Sequence, residues 1–246
     1  MSSGRGEDNL TTVAFENSMA DLRRSRSIRE FETELHRIHE MVSGYTGKVG
    51  GLMIYLNHIT LRRGGRALLQ NFELEVVAGE AVQLAGPNGV GKSSLMRVCA
   101  GLSDDYEGEV VLPARAERLY IGHRYGLTEP LSAVENLRYL LALKDQYLPE
   151  SELVSALAEF KLGESMFDRV STLSEGQRKR IALSRLNFSR QALWLLDEAF
   201  SALDQEGMHT LTALCSRHVE GGGALLFTSH QAIALSVPVR TIELTG

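Results

Sequence analysis

Gly86-Pro-Asn-Gly-Val-Gly-Lys-Ser93 constrains this chain more than any other stretch. It fits the pattern glycine, four residues, then Gly-Lys-Ser or Gly-Lys-Thr. It also sits between a short apolar run at residues 80–85 and a helix-like segment at residues 92–101. Strand, glycine loop and helix in that order build a cradle for phosphate. Glycines at 86, 89 and 91 let the backbone curl so that successive N–H groups point at phosphate oxygens, with Pro87, Asn88 and Val90 completing the loop. The helix that begins near Lys92 adds its positive N-terminal end. Lys92 is expected to reach the β- and γ-phosphates, and the Ser93 hydroxyl to ligate Mg²⁺, with Ser94 beside it in the same binding set. A chance glycine turn does not bring the lysine, the serine and both flanks with it. The loop therefore predicts nucleoside triphosphate binding.

A second element supports the first. Leu193-Trp-Leu-Leu-Asp-Glu198 is an apolar run ending in two acids, the form of a buried parallel strand that delivers carboxylates at its C-terminal edge. Asp197 is placed to hold Mg²⁺, directly or through water. Glu198 is placed to orient the attacking water or to accept its proton. Taken alone this pattern is weak, but after a phosphate loop it carries weight.

The rest of the chain of 246 residues fits one α/β domain with an appendage. Alternating strands are predicted at residues 53–61, 69–77, 80–85, 193–196, 225–228 and 240–244. Helices are predicted at residues 133–144 and 150–160, which implies a parallel sheet interrupted by a helical insert. Residues 1–52 read as a separate, partly disordered extension holding one amphipathic helix from Ser18, with Met53 as an alternative start. His36 and His39 lie on that helix and are read as solvated. Lys and Arg number 26 against 31 Asp and Glu, a net charge of -5, which argues against nucleic acid as the main ligand. The N-terminus lacks a signal-peptide core, and no apolar run approaches the about 20 residues needed to cross a bilayer. Two cysteines make no disulfide framework. A soluble intracellular chain is expected.

Leu173-Ser-Glu-Gly-Gln177 opens a predicted basic amphipathic helix, residues 178–185. Ser174 and Gly176 offer a hydroxyl and an open backbone N–H beside a helix N-terminus, a second anion site without its own lysine. In isolation an ordinary N-cap at Ser174, with Glu175 and Gln177 in the first turn, is the better explanation of the motif.

Taken together these motifs resemble the ATP-binding subunits of ABC transporters, whose Leu-Ser-x-Gly-Gln signature precedes the Asp-Glu pair by about two dozen residues. Here Ser174 and Asp197 are 23 apart (197 − 174). Ser201-Ala-Leu-Asp204 is similar to the family's D-loop, and His230 to its switch histidine at the γ-phosphate. The resemblance covers residues 53–246 and implies a P-loop NTPase core with a mainly parallel central sheet, an antiparallel β subdomain and a helical subdomain at about 127–185. It further implies a head-to-tail homodimer, in which Ser174, Gly176 and Gln177 of one copy face ATP on the phosphate loop of the other. A separate membrane-spanning subunit is implied as well.

Three positions depart from the general family pattern. Arg63 stands where an aromatic residue usually stacks on adenine, Ala199 replaces a common proline, and His123 replaces the Q-loop glutamine. Tyr120-Ile-Gly-His123, together with Gly126, Leu131, Ala133 and Glu135-Asn-Leu137, resembles the ATPases of bacterial cytochrome c maturation, the CcmA group. Gly222-Gly223 and Ser229-His230-Gln231 are similar too. That likeness implies an ATPase at the cytoplasmic face of the inner membrane, paired with a subunit resembling CcmB. Its ATP hydrolysis would support haem export or release of a haem-loaded chaperone. Another exported substrate is the alternative within the class. An ATPase acting on DNA or ribosomes would usually carry two ATPase domains or long coiled-coil inserts, and a non-hydrolysing scaffold would not need Glu198 and His230.

Overall fold

A computed structural model describes residues 51–245, and the helix predicted from Ser18 lies outside the described residues. The described chain opens with an antiparallel hairpin, β1 (Leu52–Arg63) against β2 (Arg66–Val77). Gly64 and Gly65 both take positive φ, 57° and 79°, the conformation a two-residue hairpin turn demands. That tight turn lets both strands run beyond residues 53–61 and 69–77. From β2 the chain enters a second sheet through β3 (Ala81–Ala85), and the phosphate loop leads on to α1 (Lys92–Cys99). It then returns as β4 (Tyr106–Val111) to the open edge of β1, giving the order β2-β1-β4.

No strand is predicted at β4 from the sequence, and the reason is local. Tyr106-Glu-Gly-Glu carries little strand signal, yet its glycine is what permits the pairing. Gly108 lies so close to the bulge in β1 that a Cβ there would meet the carbonyl oxygens of His58 and Asn57 at 2.6 and 2.7 Å.

The second sheet is parallel throughout, in the order β5-β6-β7-β3-β8. Its remaining strands are β5 (Arg118–Ile121), β6 (Leu193–Leu196), β7 (Ala224–Thr228) and β8 (Val239–Glu243). Every residue of β6 and β7 is buried. Central parallel strands covered on both faces read as unbroken apolar runs, which is why these two were legible. The four-residue β5, with Arg118 at its start, was too short and too polar to be assigned.

Between β5 and β6 lie α2 (Ala133–Ala142), α3 (Glu150–Glu159) and α4 (Glu175–Ser184), which share a core of Leu137, Leu141, Leu153, Leu157 and Ile181. Helix α2 starts in a capping box between Ser132 and Glu135. The buried Asn136 side chain accepts from the Thr128 N–H and donates to the Thr128, Leu131 and Ser132 carbonyls, which pins the entering loop. Helix α4 departs from the amphipathic expectation. It begins at Glu175, and four consecutive residues, Ile181 to Ser184, are buried, so it is covered nearly all round. Helix α5 (Gln205–Glu220), which the sequence reading did not assign, sets Leu211, Leu214, Cys215 and Val219 into the core that includes Trp194 of β6 and Phe227 of β7.

Candidate nucleotide site

The carboxyl ends of β3, β6 and β7 meet at one cleft, the position where open parallel sheets bind ligands. After β3 the loop turns sharply: Gly86, Gly89 and Gly91 have φ of 131°, 80° and 116°. Gly86 is irreplaceable on steric grounds, since a Cβ would sit 2.6 Å from the Leu244 carbonyl oxygen. The Val90 side chain is buried in the core, so this residue can meet a ligand only through its backbone. Lys92 is buried, and its ammonium donates to the Gly86 and Pro87 carbonyls at 2.6 and 2.9 Å, which holds the charge inside the loop.

After β6 come the two acids. Asp197 is buried and accepts from Ser93 Oγ (3.2 Å) and Thr228 Oγ1 (2.8 Å) on one carboxylate oxygen, and from the Tyr120 hydroxyl (3.4 Å) on the other. The phenol is pushed up to about 12, first by burial and then by the Asp197 charge. Glu198 sits in the left-handed region at φ 54°, with its N–H donated to Thr228 Oγ1 (2.8 Å). Its carboxylate lies between two imidazoles. His230 Nε2 is 3.3 Å from Oε1, and His123 Nε2 is 4.0 Å from Oε2.

A cleft of about 420 Å³ joins these groups, lined by Asn88, Gly89, Gly91, Lys92, Ser93, Ser94, Glu198, His123 and His230, with Arg63 and Leu68 at its β1–β2 wall. The predicted residues Asn88, Gly89, Gly91 to Ser94, Glu198, Arg63, His123 and His230 thus come together, and Asp197 adjoins them through Ser93. Ser174, Gly176, Gln177 and Asp204 do not line this cleft. Ser174 is an exposed N-cap whose hydroxyl accepts from the Gln177 N–H, while Gln177 Oε1 accepts from the Ser174 N–H. Asp204 caps α5 through the Gly207 N–H and pairs with Arg180 at 2.7 Å. Both contacts, the Gly207 bond first, hold its carboxyl below the usual range.

Three residues escaped the sequence reading. Thr228 bridges Glu198 and Asp197, and Tyr120 reaches Asp197 across the sheet. Gly122 makes that reach possible, because a Cβ on it would overlap the Tyr120 phenol at 2.3 Å. The third is Lys179 of α4, buried beneath the turn that follows β6. Its ammonium donates to the carbonyl oxygens of Glu198 and Ser201 (both 2.8 Å) and to Ser201 Oγ (2.7 Å). Burial lowers its pKa, opposed by the charges of Glu198 and Glu175. The other basic residues near α4 are anchors too. Arg178 donates to the Val170, Ser171 and Leu173 carbonyls, and Arg185, pulled down to about 10 by burial, donates to the Tyr120 carbonyl.

Such a site can bind the phosphates of a nucleotide through amides and an ammonium. Its oxygens at Ser93 and Asp197 suit a small hard cation, and it presents one carboxylate, Glu198, toward the open cleft. This is the architecture of a P-loop nucleotide-binding domain. The chain belongs to the ABC transporter family, whose profile matches residues 69–201. Within that family its likeness is to CcmA. The chain is 36% identical over 203 residues to the cytochrome c biogenesis ATP-binding export protein CcmA of Vibrio parahaemolyticus, covering 78% of this chain and 99% of that one. The CcmA of Saccharophagus degradans is 38% identical over 206 residues, covering 77% and 92%. Among solved structures, an ABC transporter ATP-binding protein from Pyrococcus furiosus aligns with a TM-score of 0.67 at 17% identity, over 78% of this chain and 96% of that one. An ATP-binding cassette solved as a dimer with ADP and phosphate aligns at 0.64 and 23%, over 73% and 88%. These two establish the fold.

Proposed function

We propose that the chain is the ATP-hydrolysing subunit of a membrane ABC complex for cytochrome c biogenesis. The 36% identity to a CcmA over 99% of its length carries that reading. Two copies pair head to tail, and a membrane-spanning subunit resembling CcmB recruits them to the cytoplasmic face of the inner membrane. Hydrolysis is coupled there to haem export or to release of a haem-loaded chaperone.

The residues divide the work. Amides of the loop from Gly86 to Ser93 and the Lys92 ammonium hold the β- and γ-phosphates and neutralise charge that builds on them. Ser93 Oγ and Asp197 Oδ1, 3.2 Å apart, are hard oxygen donors, and no cluster of three or more His, Cys, Asp or Glu exists among the described residues. That donor set fits Mg²⁺, which prefers one or two protein oxygens plus phosphates and water. When bound, Mg²⁺ supplies Lewis-acid polarisation of the phosphoryl oxygens. Glu198 orients the attacking water and takes its proton onto the carboxylate. His230, 3.3 Å from that carboxylate, keeps it aimed and donates toward the γ-phosphate, with His123 on the opposite flank. Arg63, not an aromatic ring, meets the base. Ser174, Gly176 and Gln177 serve the partner copy's ATP, with Asp204 at the interface between copies.

Haem staining of c-type cytochromes in cells lacking the gene tests this reading. Loss of covalent haem, restored by the wild type and not by Lys92→Ala, is the expected result. Normal staining in the deletion would leave an ABC ATPase for another substrate.

A further inference from the structure

The catalytic turn from Asp197 to Ser201 is held in a conformation that its own sequence does not favour. Glu198 is a non-glycine residue at φ 54°, a region that L-amino acids rarely occupy and keep only where the surroundings enforce it. The peptide units on both sides of Glu198 are each held by a side chain from outside the turn, with Ser201 adding a contact from within it. On the N-terminal side its N–H goes to Thr228 Oγ1. On the C-terminal side its carbonyl accepts from Lys179 Nζ and from Ser201 Oγ. All three protons of the ammonium are used within this turn, on the Glu198 carbonyl, the Ser201 carbonyl and the Ser201 hydroxyl. Lys179 makes no ion pair with a carboxylate within 4 Å among the described residues, although it is buried to 8% exposure. A buried charge kept on neutral acceptors is costly, so its place is explained by what it holds.

Lys179 also belongs to α4, and it is five residues beyond Ser174, about 7.5 Å along the helix axis at 1.5 Å per residue. The same helix therefore carries the signature at its N-terminus and the anchor of the catalytic turn one and a half turns later.

We propose that Lys179 is a positioning residue for Glu198, tying the signature helix to the catalytic turn so that the carboxylate is aimed only when α4 is seated. This rests on the ATPase reading above, in which Ser174 and Gly176 meet the partner copy's nucleotide. Under it, a nucleotide bound at one site acts through α4 and Lys179 on the Glu198 of the other.

Steady-state turnover of the full chain in its membrane complex, with wild type, Lys179→Met, Lys179→Arg and Ser201→Ala, tests it. Binding of a fluorescent ATP analogue and the melting temperature are measured alongside. Lys179→Met is expected to lower kcat about tenfold or more, with KM and analogue affinity within about threefold, and Lys179→Arg to recover most of the loss. Wild-type turnover should rise with ATP at a Hill coefficient above one, and Lys179→Met should bring it to one. Should Lys179→Met fail to fold, Ser201→Ala, which removes one exposed acceptor, carries the test with a smaller kcat loss at unchanged KM. Unchanged kcat in these variants, or a loss of affinity in step with kcat that arginine does not rescue, overturns the proposal. A wild-type complex that binds the analogue without hydrolysing ATP would instead overturn the ATPase reading, and this one with it.

Discussion

The phosphate cleft and the signature turn are built from the same kinds of part and end in different states. Each has a helix N-terminus, a serine hydroxyl and a glycine amide. The cleft adds an ammonium, the Glu198 carboxylate with Asp197 behind it, and two imidazoles, which converge from the ends of β3, β5, β6 and β7. The signature turn points its serine outward and spends that hydroxyl on its own helix cap. One gathers charged groups around a cleft within a single copy, and the other has its hydroxyl already engaged in its own helix cap. An anion-binding geometry becomes a site only where charge converges on it. A head-to-tail pair would supply that charge to the signature from the other copy's nucleotide.

The largest expected effect breaks the cleft alone. Glu198→Gln should lower kcat by about 10²–10⁴-fold while nucleotide affinity stays near wild type, measured by turnover and by titration with a fluorescent analogue. Undiminished turnover would remove Glu198 from its role. Lys92→Ala should weaken affinity by about a hundredfold, the loss of a buried, charge-assisted contact.

Mixing two variants asks whether cleft and signature meet between copies. Lys92→Ala disables the phosphate loop and Ser174→Arg blocks the signature. If sites form between copies, a mixture of the two variants contains heterodimers with one site of wild-type residues. Turnover of the mixture should then exceed that of either variant alone by at least about fivefold. A mixture no better than its components would mean that each cleft works within its own chain.

Much of this site was legible because its parts are contiguous. The loop at 86–93, the acids after the apolar run 193–196 and the histidine after β7 each announce themselves within about ten residues. What was missed is long-range. Lys179 read as one more charge on a basic helix, since nothing local says that its ammonium lies under a turn 19 residues away. Strand β4 was hidden by a glycine that is required by β1 and not by its own neighbours. Two glycines noticed only as a pattern have plain steric reasons. Gly122 clears the Tyr120 phenol, and Gly223 clears the His218 ring, which a Cβ would meet at 2.1 Å.

Gly122→Ala tests the first of these. The added methyl would lie 2.3 Å from the phenol oxygen and 2.6 Å from the ring carbon that bears it, so the Tyr120 side chain must swing away from Asp197. We expect a Mg²⁺ requirement raised by about threefold to tenfold, read from the Mg²⁺ dependence of turnover and of analogue binding. Tyr120→Phe should reproduce most of it. If Gly122→Ala changes stability but not the Mg²⁺ dependence, the Tyr120 hydroxyl contributes nothing to the metal site.

The second glycine leads to the smallest effect, and one that lies outside the cleft. His218 stacks on Trp194 at 4.0 Å between ring centroids and 5° between planes, with Nε2 on the Ala224 carbonyl. Burial lowers its pKa from the ordinary 6.5, so the folded protein keeps the ring neutral while the unfolded chain does not. The unfolded state therefore binds more protons as pH falls below about 6.5, and stability declines there and is recovered above it. Melting temperatures between pH 7.5 and 5.5 should show this as a loss of about 2 °C that His218→Phe, which keeps the stack, does not suffer. Equal slopes in the two proteins would assign the acid sensitivity to other groups. Because the ring is remote from the nucleotide residues, ATP affinity should follow the same course with pH in both. A different course in the two proteins would mean that the ring is coupled to the cleft.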